Sequence, residues 1–198
     1  LFKTQLRAML RAGTVHSNLS ILFPMISTVG ELSEALELLR QARVELEEDG
    51  VSVGIPRVGI MVEVPSAVYQ IDKLIRLVDF ASIGSNDLTQ YLLAVDRNND
   101  RVAKLYDSLH PVVLAAIRHV VEQVRAAGRP ISVCGEMAGD PAGALLLMAM
   151  GVDSLSMNLG SLLKIKWLIR SIPYGEAQAL LAEVADFDSA AAIRDRVD

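Results

Sequence analysis

The stretch Ala81-Ser-Ile-Gly-Ser-Asn-Asp-Leu-Thr-Gln-Tyr-Leu-Leu-Ala-Val-Asp-Arg97 contains the clearest strand-to-helix transition of the chain and most of its candidate chemistry. The apolar start stops at Gly84, and the run Ser85–Asp87 stands where a strand passes into a helix. α/β proteins place their chemistry at strand ends of this kind, and the N–H groups at a helix start suit an anionic ligand. Arg97 adds a planar cation suited to carboxylate or phosphate. The alternative is a plain helix cap within this run, with Arg97 solvated.

Apolar runs alternate with helical patterns along the whole chain, and five of these runs are predicted β-strands. The predicted strands are Leu19–Met25, Val58–Val62, Phe80–Ile83, Ile131–Val133 and Leu155–Met157. The predicted helices include Phe2–Ala12, one that opens on the capping box Thr28-Val-Gly-Glu31, one from Pro65 through Val78, one from Leu88, and Pro111–Ala127. Regular alternation calls for a parallel sheet, either open or closed into a barrel. Since no linker is long enough to divide the chain, residues 1–198 are predicted to form one domain.

Composition limits the classes of function. The 198 residues are 52% hydrophobic and 22% charged, which is typical of a globular protein. The formal net charge of −5 argues against nucleic acid and anionic membranes as partners. The single cysteine, Cys134, suits a reducing cytoplasm, and no apolar run approaches the roughly 18 residues of a membrane span. Because the chain begins Leu1-Phe2 without an initiator methionine and already in a helical pattern, we expect a fragment of something longer.

Polar residues follow three neighbouring predicted strands at the point where each strand ends. They are Glu63, Asp87 and Cys134. Because parallel strands end on one rim, Glu63 and Asp87 would form a pair of hard oxygen ligands suited to Mg²⁺. A rim thiol at Cys134 would be able to deliver a proton to a carbon. The alternatives are a helix-terminal carboxylate at Glu63, which precedes Pro65, and a small buried hydrophobe at Cys134.

Other polar residues are assigned structural roles. The three histidines, His16, His110 and His119, lack the glycine-rich, exposed setting expected of a phosphorylated histidine. Asp140 directly precedes Pro141, which favours a helix cap over a place in the site.

Three segments at these strand ends resemble a known family. Gly59–Pro65, Ser82–Arg97 and Val133–Asp140 are similar to the C-terminal domain of the phosphoenolpyruvate-utilising enzymes, and the resemblance covers almost the whole chain. Within that family the chain looks most like Enzyme I of the bacterial phosphotransferase system. The stretches Ala94–Asn99 and Leu105–Pro111 favour the nitrogen-related type over the sugar-transport type.

The resemblance implies a fold, a reaction and a set of site residues. The fold would be a (β/α)₈ TIM barrel, present here as a fragment of about five βα units, that binds phosphoenolpyruvate (PEP) and Mg²⁺. Glu63 and Asp87 match the metal ligands, and Asn86, Asp87 and Arg97 match residues that contact PEP. Cys134 matches the proton donor that converts enolpyruvate to pyruvate. The phosphoryl group would pass to a histidine on a separate N-terminal domain and then to an HPr-type carrier, and the domain would form a homodimer.

The chain departs from the family pattern in its length. Only five strands are predicted, so the first three βα units of a full barrel have no counterpart in this chain. The family's other substrate arginines and its phosphorylated histidine have none either. We therefore expect little or no phosphotransfer by this polypeptide alone. Three other interpretations remain open. They are a pyruvate phosphate dikinase or phosphoenolpyruvate synthase domain, a non-catalytic binding or dimerisation module, and a Mg²⁺-dependent lyase acting on pyruvate enolates.

Overall fold

The structure is a computed structural model that describes residues 1–15 and 18–197. His16 therefore lies outside the described residues. The strands are β1 (Ser20–Phe23), β2 (Arg57–Val62), β3 (Phe80–Gly84), β4 (Ile131–Cys134) and β5 (Ser154–Ser156). The helices are α1 (Phe2–Ala12), α2 (Val29–Glu48), α3 (Pro65–Val68), α4 (Ile71–Leu74), α5 (Ser85–Leu93), α6 (Pro111–Ala126), α7 (Glu136–Gly139), α8 (Pro141–Met150), α9 (Leu159–Ser171), α10 (Tyr174–Val184) and α11 (Ala190–Val197), with short 3₁₀ turns at Ile75–Leu77 and Ala103–Leu105. None of the helices in the described ranges is long and apolar enough to cross a membrane.

The five strands form one parallel sheet in the order β1-β2-β3-β4-β5, so every strand pairs with the next one along the chain. An open doubly wound sheet reverses its strand order at a switch point, whereas a barrel keeps adding strands on the same side. The unbroken order is therefore that of a (β/α) barrel, and the predicted parallel sheet is confirmed.

Strand alternation gives the sheet two chemically different faces. The face turned to the helices is apolar: Ile21, Phe23, Val58, Ile60, Val62, Ala81, Ile83, Ile131, Val133 and Leu155. The opposite face, which becomes the interior when such a sheet closes, mixes Ser20, Ser82, Gly84, Ser132, Cys134, Ser154 and Ser156 with the apolar Leu22, Met61 and Phe80. The hydrophobic core therefore lies between the sheet and its helices, and the small and polar residues of the inner face are left for a site.

Several helix boundaries follow the predicted capping chemistry. Thr28 and Glu31 form the capping box of α2, and the Asp140 carboxylate accepts a hydrogen bond from the Gly143 N–H at the start of α8. The imidazole Nδ1 of His110 accepts from the Val112 N–H, which confirms a structural role for this histidine.

Two helix predictions are wrong in their boundaries. The helix expected from Pro65 through Val78 is broken into α3, α4 and a 3₁₀ turn. The helix expected from Leu88 begins three residues earlier, at Ser85, directly after β3. Gly84 occupies the N-cap position of α5 and has no side chain with which to cap it. Asn86 and Asp87, which the alternative interpretation took as caps, lie within the first turn of the helix.

Gly59 on β2 has no room for a side chain. A Cβ there would lie 2.5 Å from Cζ of Phe80, whose ring covers the glycine. We expect Gly59→Ala to lower the free energy of unfolding by about 1–3 kcal/mol because overpacking forces the ring aside. Gly54→Ala is the matched control, since nothing lies within 4 Å of its Cβ position. Urea unfolding midpoints of the two variants test this, and equal midpoints would contradict it.

Candidate active site at the carboxyl ends of the strands

Glu63, Gly84 and Cys134 form a row across three neighbouring strands on the inner face. Gly84 pairs with Cys134 in the β3–β4 ladder, and Glu63 lies one residue beyond the last β2–β3 pair, beside Gly84. A Cβ on Gly84 would come within 2.8 Å of Glu63 Oε2. Gly84 therefore has no room for a side chain, because the Glu63 carboxylate packs directly against it. The region at the strand ends that is bounded by the Glu63 carboxylate and the Cys134 thiol is called the hollow below.

The Glu63 carboxylate is buried, with 4% of the residue exposed. Its Oε1 accepts a hydrogen bond from the Met25 N–H at 2.7 Å. Burial raises the pKa of Glu63, the Met25 hydrogen bond opposes this rise, and the neighbouring Asp87 carboxylate adds to it. Two carboxylates that face each other in a partly dry hollow repel unless a proton or a cation lies with them.

Asp87 and Arg97 bring opposite charges to the same hollow. Nη2 of Arg97 lies 3.7 Å from Oδ1 of Asp87. The loop after α5 is turned back by Ala94, which has a left-handed φ of 52°, and the Arg97 N–H donates to Oε1 of Gln90 at 3.2 Å. Nη1 of Arg97 is buried without a hydrogen-bond acceptor among the described residues. This guanidinium therefore has a donor available for an anion.

Ser85 and Asn86 join the ends of β3 and β4. The Ser85 hydroxyl donates to the carbonyl of Cys134 at 2.7 Å, and the side-chain oxygen of Asn86 accepts from the Glu136 N–H at 2.9 Å. A Cβ on Gly135, whose φ is 105°, would lie 2.7 Å from that Asn86 oxygen. Since the oxygen is occupied, the side-chain NH₂ of Asn86 is the part that remains for a ligand.

The thiol of Cys134 is half-buried at the end of β4. Its Sγ donates to the Ile83 carbonyl at 3.5 Å. Burial raises the pKa of Cys134, contact with Ser82 opposes the rise, and the nearby carboxylate of Glu63 adds to it. The thiol therefore stays protonated at neutral pH, as a proton donor must.

Tyr106 encloses the Arg97 side of the hollow, and no pattern in the sequence pointed to it. Its hydroxyl donates to the carbonyl of Asn86 at 3.4 Å. Burial raises the pKa of Tyr106, and contacts with Thr89 and Arg97 oppose the rise. The phenol is therefore neutral, lies beside the Arg97 guanidinium, and gives its single hydroxyl proton to the Asn86 carbonyl.

The two carboxylates fit Mg²⁺ if water and substrate oxygens complete its coordination. No group of three or more His, Cys, Asp or Glu side chains that would hold a metal is found in the described part of the chain. Mg²⁺ in proteins commonly takes one or two carboxylates and completes its octahedron with waters and substrate phosphate oxygens. Glu63 and Asp87 supply such a pair, so they fit a cation shared with an anionic substrate.

The sequence prediction and the structure agree on which residues converge. The side chains of Glu63, Asp87, Arg97 and Cys134 surround one hollow, with Asn86 on its edge. Sequence reasoning missed Met25, which donates to Glu63, and the close packing of the Glu63 carboxylate against Gly84. A glycine that ends a predicted strand between two polar strand ends was the available signal for that close approach.

A sequentially wound parallel sheet with a polar site at the carboxyl ends of its strands defines the class, a domain of the (β/α)-barrel type. The chain belongs to the phosphoenolpyruvate-utilising enzymes: residues 1–174 match the family described as "PEP-utilising enzyme, PEP-binding domain". The family predicted from the sequence is therefore confirmed.

Relatives and a solved structure support the family and the fold respectively. A Salmonella typhimurium protein named "Phosphoenolpyruvate-dependent phosphotransferase system" is 45% identical over 198 residues, which is 100% of this chain and 26% of the relative. A "Phosphoenolpyruvate-protein phosphotransferase" from a Bacillus species is 42% identical over 192 residues, 96% of this chain and 33% of the relative. A citrate lyase structure from Burkholderia xenovorans superposes with a TM-score of 0.62 at 17% identity, over 98% of this chain and 66% of that one. That similarity shows the fold alone. The chain spans about a quarter to a third of the length of the curated relatives that it matches.

Proposed function

We propose that this chain is the PEP-binding part of a phosphoenolpyruvate-protein phosphotransferase, and that the hollow bounded by Glu63 and Cys134 holds PEP with Mg²⁺. The observation that carries the proposal is the convergence of two carboxylates, a guanidinium and a protonated thiol on one hollow. The relative with 42% identity bears this activity in its name, and the one with 45% identity is named for the phosphoenolpyruvate-dependent phosphotransferase system. The assignment to the nitrogen-related type stays a prediction.

Three groups of the chain suit the phosphate and carboxylate of PEP. The buried Nη1 of Arg97 lacks an acceptor among the described residues and would pair with an anionic oxygen. The side-chain NH₂ of Asn86 is free to donate because its oxygen is held by the Glu136 N–H. The nine-residue helix α5 begins beside both groups, and its N-terminus favours negative charge.

Glu63 and Asp87 would hold Mg²⁺ in this proposal. When bound, the cation would neutralise charge on the phosphate oxygens and on the enolate that develops as the phosphoryl group is transferred. In its absence the two carboxylates repel each other, and this repulsion adds to the rise in the pKa of Glu63 that burial causes. The metal and the substrate are therefore expected to bind more tightly together than apart.

The thiol of Cys134 would complete the reaction. Transfer breaks the bond between phosphorus and the enol oxygen, forms a bond from phosphorus to a histidine nitrogen, and leaves the electron pair on the enolate of pyruvate. Cys134 then gives its proton to the methylene carbon, which becomes the methyl group of pyruvate, and the thiolate regains a proton from solvent.

The rest of the machinery would lie outside this chain. The accepting histidine would belong to an N-terminal domain, an HPr-type carrier would receive the phosphoryl group, and the protein would act as a cytoplasmic homodimer. The relatives are three to four times as long as the match, which leaves room for such domains. We therefore expect this chain alone to show little or no phosphotransfer.

The test uses the full-length protein that carries this chain, incubated with ³²P-labelled PEP and Mg²⁺. We expect label on a histidine, none in the presence of EDTA, and none when labelled ATP replaces PEP. Arg97→Lys is expected to weaken PEP binding about 10- to 100-fold, because a charge-assisted hydrogen bond contributes about 1.5–3 kcal/mol.

Arg40→Lys is the matched control, because Arg40 pairs with Glu37 on the solvent face of α2. Labelling from ATP would favour a dikinase instead, and labelling that persists in EDTA would contradict the metal requirement.

A further inference from the structure

Met25 has a backbone conformation that methionine rarely adopts. Its φ is 56°, and Ala94 is the only other non-glycine residue with a positive φ in the described ranges 1–15 and 18–197. A left-handed conformation is unfavourable for an L-residue because Cβ crowds the following carbonyl. It persists where surrounding contacts hold it, and such residues cluster at functional sites.

The backbone of Met25 holds the Glu63 carboxylate by a hydrogen bond. Its N–H donates to Oε1 at 2.7 Å, a length typical of a charge-assisted bond. The donor follows Pro24, which has no N–H, so Met25 is the first residue after β1 that is able to donate. The two partners are 38 residues apart in sequence, and the bond ties the end of β1 to the end of β2.

The bond decides which oxygen of Glu63 faces the hollow. Oε1 is turned towards Met25, and Oε2 lies over Gly84, where an added Cβ would approach within 2.8 Å. The Met25 side chain is half-exposed. The contact that matters is therefore made by the backbone in its left-handed conformation.

We infer that Met25 is a positioning residue for the metal site: its left-handed N–H fixes the Glu63 carboxylate so that Oε2 alone is presented to the cation. The inference rests on the proposed function, because it assumes that Glu63 holds a metal. It predicts that the backbone conformation at position 25, and not the methionine side chain, determines metal affinity.

Two substitutions of Met25 distinguish the effect of its backbone conformation on metal binding from the effect of its side chain. Glycine adopts positive φ freely, whereas a β-branched residue resists it strongly. In the full-length protein, titrated with Mn²⁺ alone and followed by the EPR signal of the free ion, we expect Met25→Gly to bind Mn²⁺ within about twofold of the wild type. Met25→Val should bind about 10- to 100-fold more weakly, the usual effect of losing a partner that orients a metal ligand.

Met9→Val is the matched control, an exposed methionine of ordinary helical conformation on α1. Equal Mn²⁺ affinity of Met25→Val and the wild type would overturn the inference, as would a loss in Met25→Gly as large as that in Met25→Val. Failure of the wild type to bind Mn²⁺ contradicts the proposed metal site itself, and the inference with it.

A second measurement tests the inference if Met25→Val does not fold. In protein labelled with ¹⁵N-methionine, the Met25 amide signal is assigned by its loss in Met25→Gly. We expect that amide proton at low field in the wild type and shifted upfield in Glu63→Gln, because the charged acceptor is removed. An amide signal that Glu63→Gln leaves in place would overturn the inference.

Discussion

Replacement of Cys134 by alanine is expected to lower the rate of pyruvate formation from PEP by about 10²- to 10⁴-fold, the range typical of a lost general acid. The thiol is half-buried and protonated, and it lies near enough to the Glu63 carboxylate for that charge to raise its pKa further beyond the rise that burial causes. Without it, the enolate left after phosphoryl transfer has no donor held near its methylene carbon. Mn²⁺ affinity should stay within about twofold of the wild type, because sulfur is not a ligand that Mg²⁺ or Mn²⁺ prefers.

The proton step is measured most directly in the reverse direction. In D₂O with Mg²⁺, the wild-type full-length protein should exchange the methyl protons of pyruvate for deuterium, as followed by NMR, and Cys134→Ala should not. Ser132→Ala is the matched control, since Ser132 lies on the same strand and face two residues earlier. Undiminished exchange in Cys134→Ala would remove the thiol from the reaction.

The placement of the site was predictable because parallel strands end on one rim. An apolar run followed by Glu63, and another followed by Cys134, is enough to put both side chains at the same edge of the sheet. The β3–β4 register then fixes Cys134 opposite Gly84. No knowledge of side-chain packing is needed for this step, because strand alternation and strand order supply it.

The orientation of the site was not predictable in the same way. The Met25 N–H meets Glu63 across 38 residues of sequence, and the Asn86 oxygen meets the Glu136 N–H across 50. Periodicity and composition describe which face a residue occupies, but they do not determine which distant backbone group it meets. The Ser85 hydroxyl at the start of α5 likewise meets the Cys134 carbonyl, 49 residues further along the chain.

Replacement of Asp87 by asparagine should weaken metal binding without lowering the stability of the metal-free protein. We expect Mn²⁺ affinity to fall by at least about 100-fold, since loss of a residue that merely orients a metal ligand already costs about 10- to 100-fold. PEP binding should fall as well, because Asp87 lies 3.7 Å from the Arg97 guanidinium that it helps to orient. The metal-free protein should nevertheless be as stable as the wild type or more stable.

The expected gain in stability follows from the charges that face each other. Asp87 contributes to the raised pKa of the buried Glu63, which means that the two carboxylates repel in the folded state without a cation. Asp87→Asn removes that repulsion, so its thermal midpoint in EDTA should equal or exceed that of the wild type. In saturating Mn²⁺ the order should reverse, because only the wild type gains stability from tight binding. Asp72→Asn, on the exposed surface of α4, should change neither midpoint. A variant that loses stability in EDTA while retaining Mn²⁺ affinity would show that Asp87 supports the fold and does not hold the metal.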